Sequence, residues 1–109
     1  MMAIPPPVAK KRIEVDAVER SLEIVGLKWT LLIVRDLLDG PRRFTEIERS
    51  LRHANPKMIT KRLRELGQAG LVSRTAYAEV PPRVEYALTA RGRALRPVVE
   101  ALRRWGMAD

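Results

Sequence analysis

The sequence predicts a mainly α-helical fold with one small β-hairpin, and three observations lead to this prediction. Apolar residues recur at intervals of three and four over most of the chain, the interval changes to two between residues 71 and 88, and Gly or Pro separates the segments. The chain of 109 residues is of single-domain size, and 46% hydrophobic with 31% charged residues is typical of a packed globular protein. We therefore expect one folded domain over residues 16–109.

A flexible arm is predicted before this domain, over residues 1–15. Its prolines, Pro5–Pro7, resist helix and strand alike, and the cluster Lys10–Arg12 adds positive charge. The whole chain carries 21 Lys and Arg against 13 Asp and Glu, a formal net charge of +8. Such a charge favours a polyanionic partner, because basic residues bind phosphates with release of counterions, although anionic membranes attract the same charge.

Several classes of protein are excluded by what the sequence lacks. Cysteine is absent, which excludes disulfides, thiolate metal sites and thiol switches, and which fits a reducing compartment. The longest apolar run, Leu31–Val34, is four residues, whereas a membrane span needs roughly 20. Met1–Val8 has neither a charged start nor a long apolar segment, so we expect no secretory signal and a cytoplasmic protein.

Two helices are predicted in the first third of the domain. Asp16, with Glu19 three residues later, has the pattern of an N-cap that opens the first helix. The apolar face of this helix repeats at the spacing i, i+4 and i+7 in Val18, Leu22 and Val25. Trp29–Leu38 is apolar nearly all round and ends before Gly40, which predicts a second, buried helix.

Two further helices follow in the middle of the chain. Thr45 and Glu48 form a capping-box pattern, which predicts a short third helix that begins after Thr45. Asn55 as N-cap and Pro56 at the first helical position predict a fourth helix that ends near residues 67–70. The apolar face of the fourth helix consists of Ile59, Leu63 and Leu66.

A hairpin and a last helix complete the predicted fold. The alternating segments Leu71–Tyr77 and Val84–Leu88 predict two strands, and the connection 78–83 contains two prolines and is expected to protrude as a loop. Thr89 is the predicted N-cap of a helix that runs to the end of the chain, with a kink at Pro97. Its apolar stripe consists of Leu95, Val98, Leu102 and Trp105.

This order of elements is that of a winged helix-turn-helix with an added C-terminal helix. In that fold the second helix of the turn unit, here about 55–67, enters the major groove, and the hairpin loop, here about 78–83, contacts flanking DNA. Four polar donors lie on one face of this helix: Lys57, Thr60, Lys61 and Arg64. No acidic residue occurs from Asn55 to Arg64, which favours DNA recognition over a solvated helix face.

Other predicted DNA contacts flank the recognition helix. The Thr45 hydroxyl, at a helix N-terminus, is placed to hold a phosphate, and Asn55 opens the recognition helix. Arg43 and Arg83 are placed to contact the sugar–phosphate backbone or a minor groove. For each residue the alternative is purely structural: a helix cap for Thr45 and Asn55, and ordinary surface charge for the two arginines.

The terminal helices predict a homodimer. Val98, Leu102 and Trp105 would form an exposed apolar stripe unless they were covered, and Val18 with Leu22 offers a complementary face.

Three residues bear on a small-molecule or catalytic site: Trp29, Trp105 and His53. Trp29 and Trp105 raise the alternative of an effector pocket, so a small-molecule effector is left open, although core or interface packing explains both residues better. The single histidine, His53, has no carboxylate or thiol neighbour in the sequence, and we expect no catalytic residue, metal site or cofactor.

The chain resembles the HxlR family of prokaryotic regulators over approximately residues 16–106. The resemblance lies in seven motifs in order, LEIVG (22–26), KWTLL (28–32), DGPRRF (39–44), PKMITKRLREL (56–66), AGLV (69–72), EVPPRVEY (79–86) and LTARGRAL (88–95). It implies a dimeric winged helix protein related to the MarR group, which reads DNA with Pro56–Leu66 and dimerises through its terminal helices. Many members of the family carry a sensor cysteine at the start of the first helix, where this chain has Asp16, so thiol sensing is not implied.

Together these observations predict a homodimeric transcriptional regulator that binds a specific double-stranded DNA operator and is associated with the nucleoid when it is bound to DNA. Two alternatives stay open: a DNA-binding protein without sequence preference, which the net charge alone would support, and a winged helix that binds another protein. An enzyme is not expected, because the sequence contains no Gly-rich phosphate loop, metal-ligand cluster or activated nucleophile.

Overall fold

The fold was established from a computed structural model, which describes residues 16–108. The predicted arm, residues 1–15, lies outside the described residues. The elements are α1 (residues 16–25), α2 (Thr30–Leu37), α3 (Phe44–Ser50), α4 (Pro56–Gln68), β1 (Val72–Tyr77), β2 (Arg83–Leu88), α5 (Ala90–Arg93) and α6 (Arg96–Met107). The order is the predicted one, except that two helices replace the single C-terminal helix.

The first two helices differ from the prediction at their starts. Residue 16 is itself helical, so Asp16 lies inside α1 rather than just before it. α2 begins at Thr30, because Trp29 has a left-handed backbone with φ of 79° and cannot continue a right-handed helix. Trp29 is half buried and packs against the core, which supports core packing for this side chain.

The predicted cap of α3 is wrong. α3 begins at Phe44, so Thr45 is the second residue of the helix and Arg43 precedes it in an extended conformation. The backbone N–H of Arg43 donates to a carboxylate oxygen of Glu46 at 2.8 Å. Glu46 therefore satisfies a donor at this helix start, which the pattern had assigned to Thr45 and Glu48.

The start and end of α4 confirm the predicted signals. The Asn55 side chain accepts a hydrogen bond of 2.8 Å from the backbone N–H of Lys57, and Pro56 is the first helical residue. α4 ends at Gln68, and Gly70 follows with φ of +78°, a conformation that glycine adopts without strain. The predicted apolar face, Ile59, Leu63 and Leu66, is buried.

The hairpin register decides which side chains share a face. The two strands pair antiparallel from Val72 opposite Leu88 to Tyr77 opposite Arg83. Arg83 therefore lies in β2, and the connecting loop is 78–82 rather than 78–83. Because side chains alternate along a strand, the face that begins with the buried pair Val72 and Leu88 continues through Arg74.

A single residue extends this small sheet to a third segment. The backbone N–H of Arg42 donates to the Tyr86 carbonyl at 2.9 Å, and the N–H of Tyr86 donates to the Arg42 carbonyl at 2.8 Å. This isolated bridge attaches the segment before α3 to the middle of β2.

The predicted continuous C-terminal helix is wrong, although its cap is confirmed. The Thr89 hydroxyl accepts from the backbone N–H of Gly92 at 3.1 Å. The helix then breaks after Arg93, and Pro97 is the second residue of α6 rather than a kink within a helix. The proline ring would clash with the carbonyl of Arg93, four residues earlier, which explains why α5 stops there.

The core lies between α2, α3, α4 and the base of the hairpin. Its fully buried side chains include Ile33, Val34, Ile47, Ile59 and Leu66. Since α2 contributes two of these and packs against α3, α4, α6 and β2, it is the buried helix that the sequence predicts. Among the described residues, no helix is long and apolar enough to cross a membrane.

Candidate nucleic-acid interface

The exposed face of α4 brings the predicted polar donors together. The four side chains on this face are all exposed: Lys57, Thr60, Lys61 and Arg64. Within residues 16–108, none of the four side chains forms an ion pair or a hydrogen bond. Their opposite face is buried in the core, so that the orientation of the donors is fixed by packing. Three positive charges and a hydroxyl are therefore presented to solvent as one surface, which we call the α4 face.

A buried arginine, which the sequence analysis missed, anchors this helix. Arg62 lies between the polar donors in sequence but on the buried side of α4. Its Nε donates to the carbonyl of Lys28 at 2.9 Å, and its Nη1 pairs with the Glu65 carboxylate at 2.9 Å. The first bond fixes α4 to the segment before α2, which stabilises the angle at which the α4 face is presented. The spacing of Arg62 and Glu65 indicates an ion pair, but it does not indicate burial.

The other predicted contacts lie on separate elements. Arg43 and Thr45 are exposed at the N-terminal end of α3, and Asn55 is exposed at the N-terminus of α4, where its side chain caps the helix. Arg43 forms no side-chain ion pair within the described part of the chain. These residues are accessible to a phosphate backbone, and their contact with DNA stays a prediction.

Arg83 has surroundings that its position in the sequence did not suggest. Its guanidinium pairs with Glu79 at 2.9 Å and with Glu85 at 3.2 Å. It also stacks over the Tyr77 ring, 4.0 Å from the ring centroid. Arg83, Glu79 and Glu85 together carry a net charge of −1, so the surface around Arg83, at the loop end of the hairpin, is not basic. The predicted contact of Arg83 with DNA is untested, but its charge is already neutralised by neighbours.

A groove runs between α4 and the hairpin, and it contains an arginine that the sequence analysis missed. The groove has a volume of about 260 Å³ and includes Thr60 and Arg64 of α4 together with Arg74 and Tyr86 of the hairpin. We call it the α4–β1 groove. Arg74 is exposed and, within the described residues, forms no ion pair or side-chain hydrogen bond. In the sequence, Arg74 is one polar residue of an alternating strand, and only the pairing register shows which face it occupies.

The predicted dimer residues are exposed apolar side chains. Val18 and Leu22 on α1, and Val98, Leu102 and Trp105 on α6, all lie on the surface, with Trp105 79% exposed. A cleft of about 470 Å³ between α2 and α6 includes Leu31, Leu32 and Leu102. Exposed apolar patches of this kind are typical of interaction surfaces.

Two further comparisons with the predictions concern metals and the histidine. In the described part of the chain, no group of three or more His, Cys, Asp or Glu side chains could hold a metal ion. His53 is exposed in the turn before α4.

Comparison with known proteins identifies the family. The HxlR-like helix-turn-helix family profile matches residues 24–109. An uncharacterized HTH-type transcriptional regulator from Methanothermobacter thermautotrophicus is 44% identical over 90 residues, which cover 83% of this chain and 69% of that protein. YkvN from Bacillus subtilis, also an uncharacterized HTH-type transcriptional regulator, is 42% identical over 88 residues, with coverage of 81% and 75%.

Solved structures agree with the sequence relatives. The redox regulator HypR in its oxidized form superposes with a TM-score of 0.82 at 40% identity, over 85% of this chain and 96% of that one. The reduced form of the transcriptional regulator YodB from B. subtilis has a TM-score of 0.74 at 34% identity, with coverage of 95% and 91%. These similarities confirm the winged helix-turn-helix fold and a regulator rather than an enzyme. The chain therefore belongs to the HxlR family of helix-turn-helix transcriptional regulators.

Proposed function

We propose that this protein regulates transcription by binding a specific double-stranded DNA operator as a homodimer, with α4 in the major groove. The single observation that carries the proposal is the α4 face. It presents Lys57, Thr60, Lys61 and Arg64 to solvent, and none of these side chains is paired within the described residues. Because the four donors are not engaged in the protein, they are available to phosphates and base edges.

The roles of the donors follow from their chemistry. Arg64 carries a planar guanidinium that suits the paired acceptors of guanine, whereas the ammonium groups of Lys57 and Lys61 suit phosphates as point charges. Thr60 supplies a hydroxyl that both donates and accepts, so it adapts to more than one base. Arg43, Thr45 and Asn55 would contact the sugar–phosphate backbone at the ends of α3 and α4.

The exposed apolar surfaces of α1 and α6 support the homodimer. Leu102 and Trp105 on α6, with Val18 on α1, would each be removed from water in a two-fold interface. A two-fold axis would place two copies of α4 about 34 Å apart, which is one turn of B-DNA. The operator is then expected to be a pseudo-palindrome with half-sites one helical turn apart. Binding would block or reposition transcription.

The test is a selection of bound duplexes from a random pool. The selected duplex and a scrambled control are then titrated at several salt concentrations. We expect a two-fold sequence to be enriched and to bind far more tightly than the control. Equal affinity and equal salt dependence for both duplexes would identify a DNA-binding protein without sequence preference, and no binding to either duplex would favour a protein partner.

A variant links the result to the α4 face. Arg64→Ala is expected to weaken operator binding by about 1–3 kcal/mol and to relax specificity at one position of each half-site. The matched control is Arg91→Ala, since Arg91 is an exposed arginine on α5, at the end of the hairpin opposite the loop 78–82. If both variants bind the operator like the wild-type protein, Arg64 is not a reading residue.

A further inference from the structure

We propose that Arg74 on β1 contacts a DNA phosphate in the α4–β1 groove, and that Arg83 acts by bracing the hairpin instead of contacting DNA. This inference rests on the proposed function, because it assumes that α4 lies in the major groove. It assigns a role to a residue that the sequence analysis did not select.

The hairpin register separates the two arginines. Arg74 is opposite Tyr86, two pairs along the ladder from the buried pair of Val72 and Leu88, so Arg74 shares the inner face of the hairpin, which packs towards α4. Arg83 is opposite Tyr77, an odd number of pairs from the same buried pair, and so lies on the outer face. The two positive charges therefore point to opposite sides of the hairpin.

The geometry of a helix in B-DNA favours the inner face. The major groove is about 12 Å wide, and an α-helix with its side chains is about 10–12 Å across. A helix that occupies the groove therefore has a phosphate backbone along each side. The hairpin is packed beside α4, with α4 and β1 in direct contact. A phosphate strand that flanks α4 on this side would enter the α4–β1 groove, where Arg64 and Arg74 line the two walls.

The charges of the two faces agree with this geometry. In the α4–β1 groove the charged residues are Arg64 and Arg74, and both are positive. On the outer face, the guanidinium of Arg83 is held between the carboxylates of Glu79 and Glu85. A phosphate approaching Arg83 would also approach these two carboxylates, which repel it.

Arg83 has a structural role that explains its contacts. It joins Glu79 in the loop to Glu85 in β2 and covers the ring of Tyr77 at the end of β1. One side chain thus joins the loop, the last residue of β1 and the start of β2 at the loop end of the hairpin. Arg83 is accordingly a positioning residue of the hairpin, and its effect on DNA binding is indirect.

The salt dependence of binding tests the assignment, because its slope reports how many phosphates the protein neutralises. The wild-type protein, Arg74→Ala, Arg83→Ala and the matched control Arg91→Ala are titrated with the selected operator and with the scrambled duplex at several salt concentrations. For Arg74→Ala we expect roughly tenfold weaker binding to both duplexes, with an unchanged ratio between them. Log K falls as the salt concentration rises, and this dependence is expected to become shallower: the negative slope of log K against log salt should shrink in magnitude by about 0.9 for each phosphate that is no longer neutralised, hence by about 1.8 for a dimer.

The other variants distinguish contact from bracing. Arg74→Lys is expected to retain most of the affinity and the whole slope, since an ammonium also binds a phosphate. Arg83→Ala is expected to weaken binding with the slope of the wild-type protein. Unfolding curves of each variant establish that the protein is folded under the titration conditions.

Two results would overturn the inference while the proposed function stands. The first is that Arg74→Ala binds with the same affinity and the same salt dependence as Arg91→Ala, while Arg64→Ala still loses operator binding. The second is a salt dependence that becomes shallower for Arg83→Ala and stays unchanged for Arg74→Ala. A wild-type protein that binds neither duplex would overturn both proposals.

Discussion

At the scale of the residue, two arginines of α4, Arg62 and Arg64, have different roles because one is buried and the other is exposed. Arg62 is buried, and its guanidinium is bound to the Lys28 carbonyl and the Glu65 carboxylate. Arg64 is two residues further along, on the exposed face, and forms no ion pair within the described residues. The first arginine therefore contributes to stability, and the second is available for binding.

Replacing Arg62 tests this division. We expect Arg62→Ala to lower the free energy of unfolding by about 1–3 kcal/mol, because the carbonyl of Lys28 and the carboxylate of Glu65 lose their donor. The matched control, Arg64→Ala on the same helix, is expected to change stability by less than about 0.5 kcal/mol. Urea unfolding monitored by circular dichroism measures both changes. Equal midpoints for the two variants would show that the Arg62 contacts do not stabilise the fold.

Sequence patterns found the exposed basic residues of α4 but could not find the role of Arg62 or Arg83. Helical spacing predicts the α4 face, because exposure of Lys57 and Arg64 follows from the apolar residues on the opposite side. The carbonyl that Arg62 binds lies 34 residues away in the sequence, and no local pattern indicates such a partner. Arg83 pairs with Glu85 two residues later on the same strand and with Glu79 in the loop, and the loop conformation that brings Glu79 to Arg83 has no periodic signal in the sequence.

At the scale of the element, the short helix α5 depends on a glycine. Gly92 is the third residue of α5, and a Cβ atom at this position would overlap the carbonyl oxygen of Leu71. Leu71 precedes β1, so this close approach packs α5 directly against the base of the hairpin. This contact fixes α5, and with it the start of α6, to the base of the hairpin.

Adding a methyl group at this position tests the contact. Gly92→Ala is expected to lower the free energy of unfolding by about 1–3 kcal/mol, since backbone must move to admit the new atom. Gly67→Ala is the matched control on α4, where the nearest atom to the added Cβ is the Val72 carbonyl oxygen at 3.8 Å. That control is expected to be neutral or to stabilise by up to about 1 kcal/mol, because alanine favours the helix. Thermal unfolding compares the two variants, and a Gly92→Ala protein as stable as the control would contradict the prediction.

Elements were predictable where their signals are local. Asn55 and Pro56 define the start of α4 because a cap and a first-turn proline act within a few residues. The predicted start of α3 after Thr45 is wrong. The helix begins directly after Arg43, a residue type that gives no capping signal, and Glu46 accepts a hydrogen bond from the backbone N–H of Arg43. The bridge between Arg42 and Tyr86 has no periodic signal, because a single paired residue produces none.

At the scale of the whole molecule, the first and last helices of the described residues, α1 and α6, carry exposed apolar side chains. Val18 on α1 is 61% exposed, and Leu102 on α6 is 48% exposed. The surface on α6 was predictable from the sequence, because Val98, Leu102 and Trp105 recur at helical spacing as one apolar stripe. The geometry of the dimer was not predictable, since it depends on how two copies fit together.

A charge placed in this surface tests the homodimer. Leu102→Glu is expected to shift the protein from dimer to monomer at micromolar concentration and to weaken operator binding, because a carboxylate would be buried without a partner. Val80→Glu is the matched control for the mass alone, since Val80 is fully exposed at the hairpin loop and far in sequence from the terminal helices. Light scattering after size-exclusion chromatography measures the mass of each variant. A Leu102→Glu protein that remains a dimer would place the interface elsewhere.

The bridge between Arg42 and Tyr86 has a consequence for motion. Two backbone hydrogen bonds join the segment before α3 to the middle of β2, and each contributes about 0.5–1.5 kcal/mol. A fluctuation that lifts the hairpin must break both bonds or carry the start of α3 with it. The base of the hairpin and the segment before α3 are therefore expected to move together. Independent movement of the hairpin is expected only on the loop side of Tyr86.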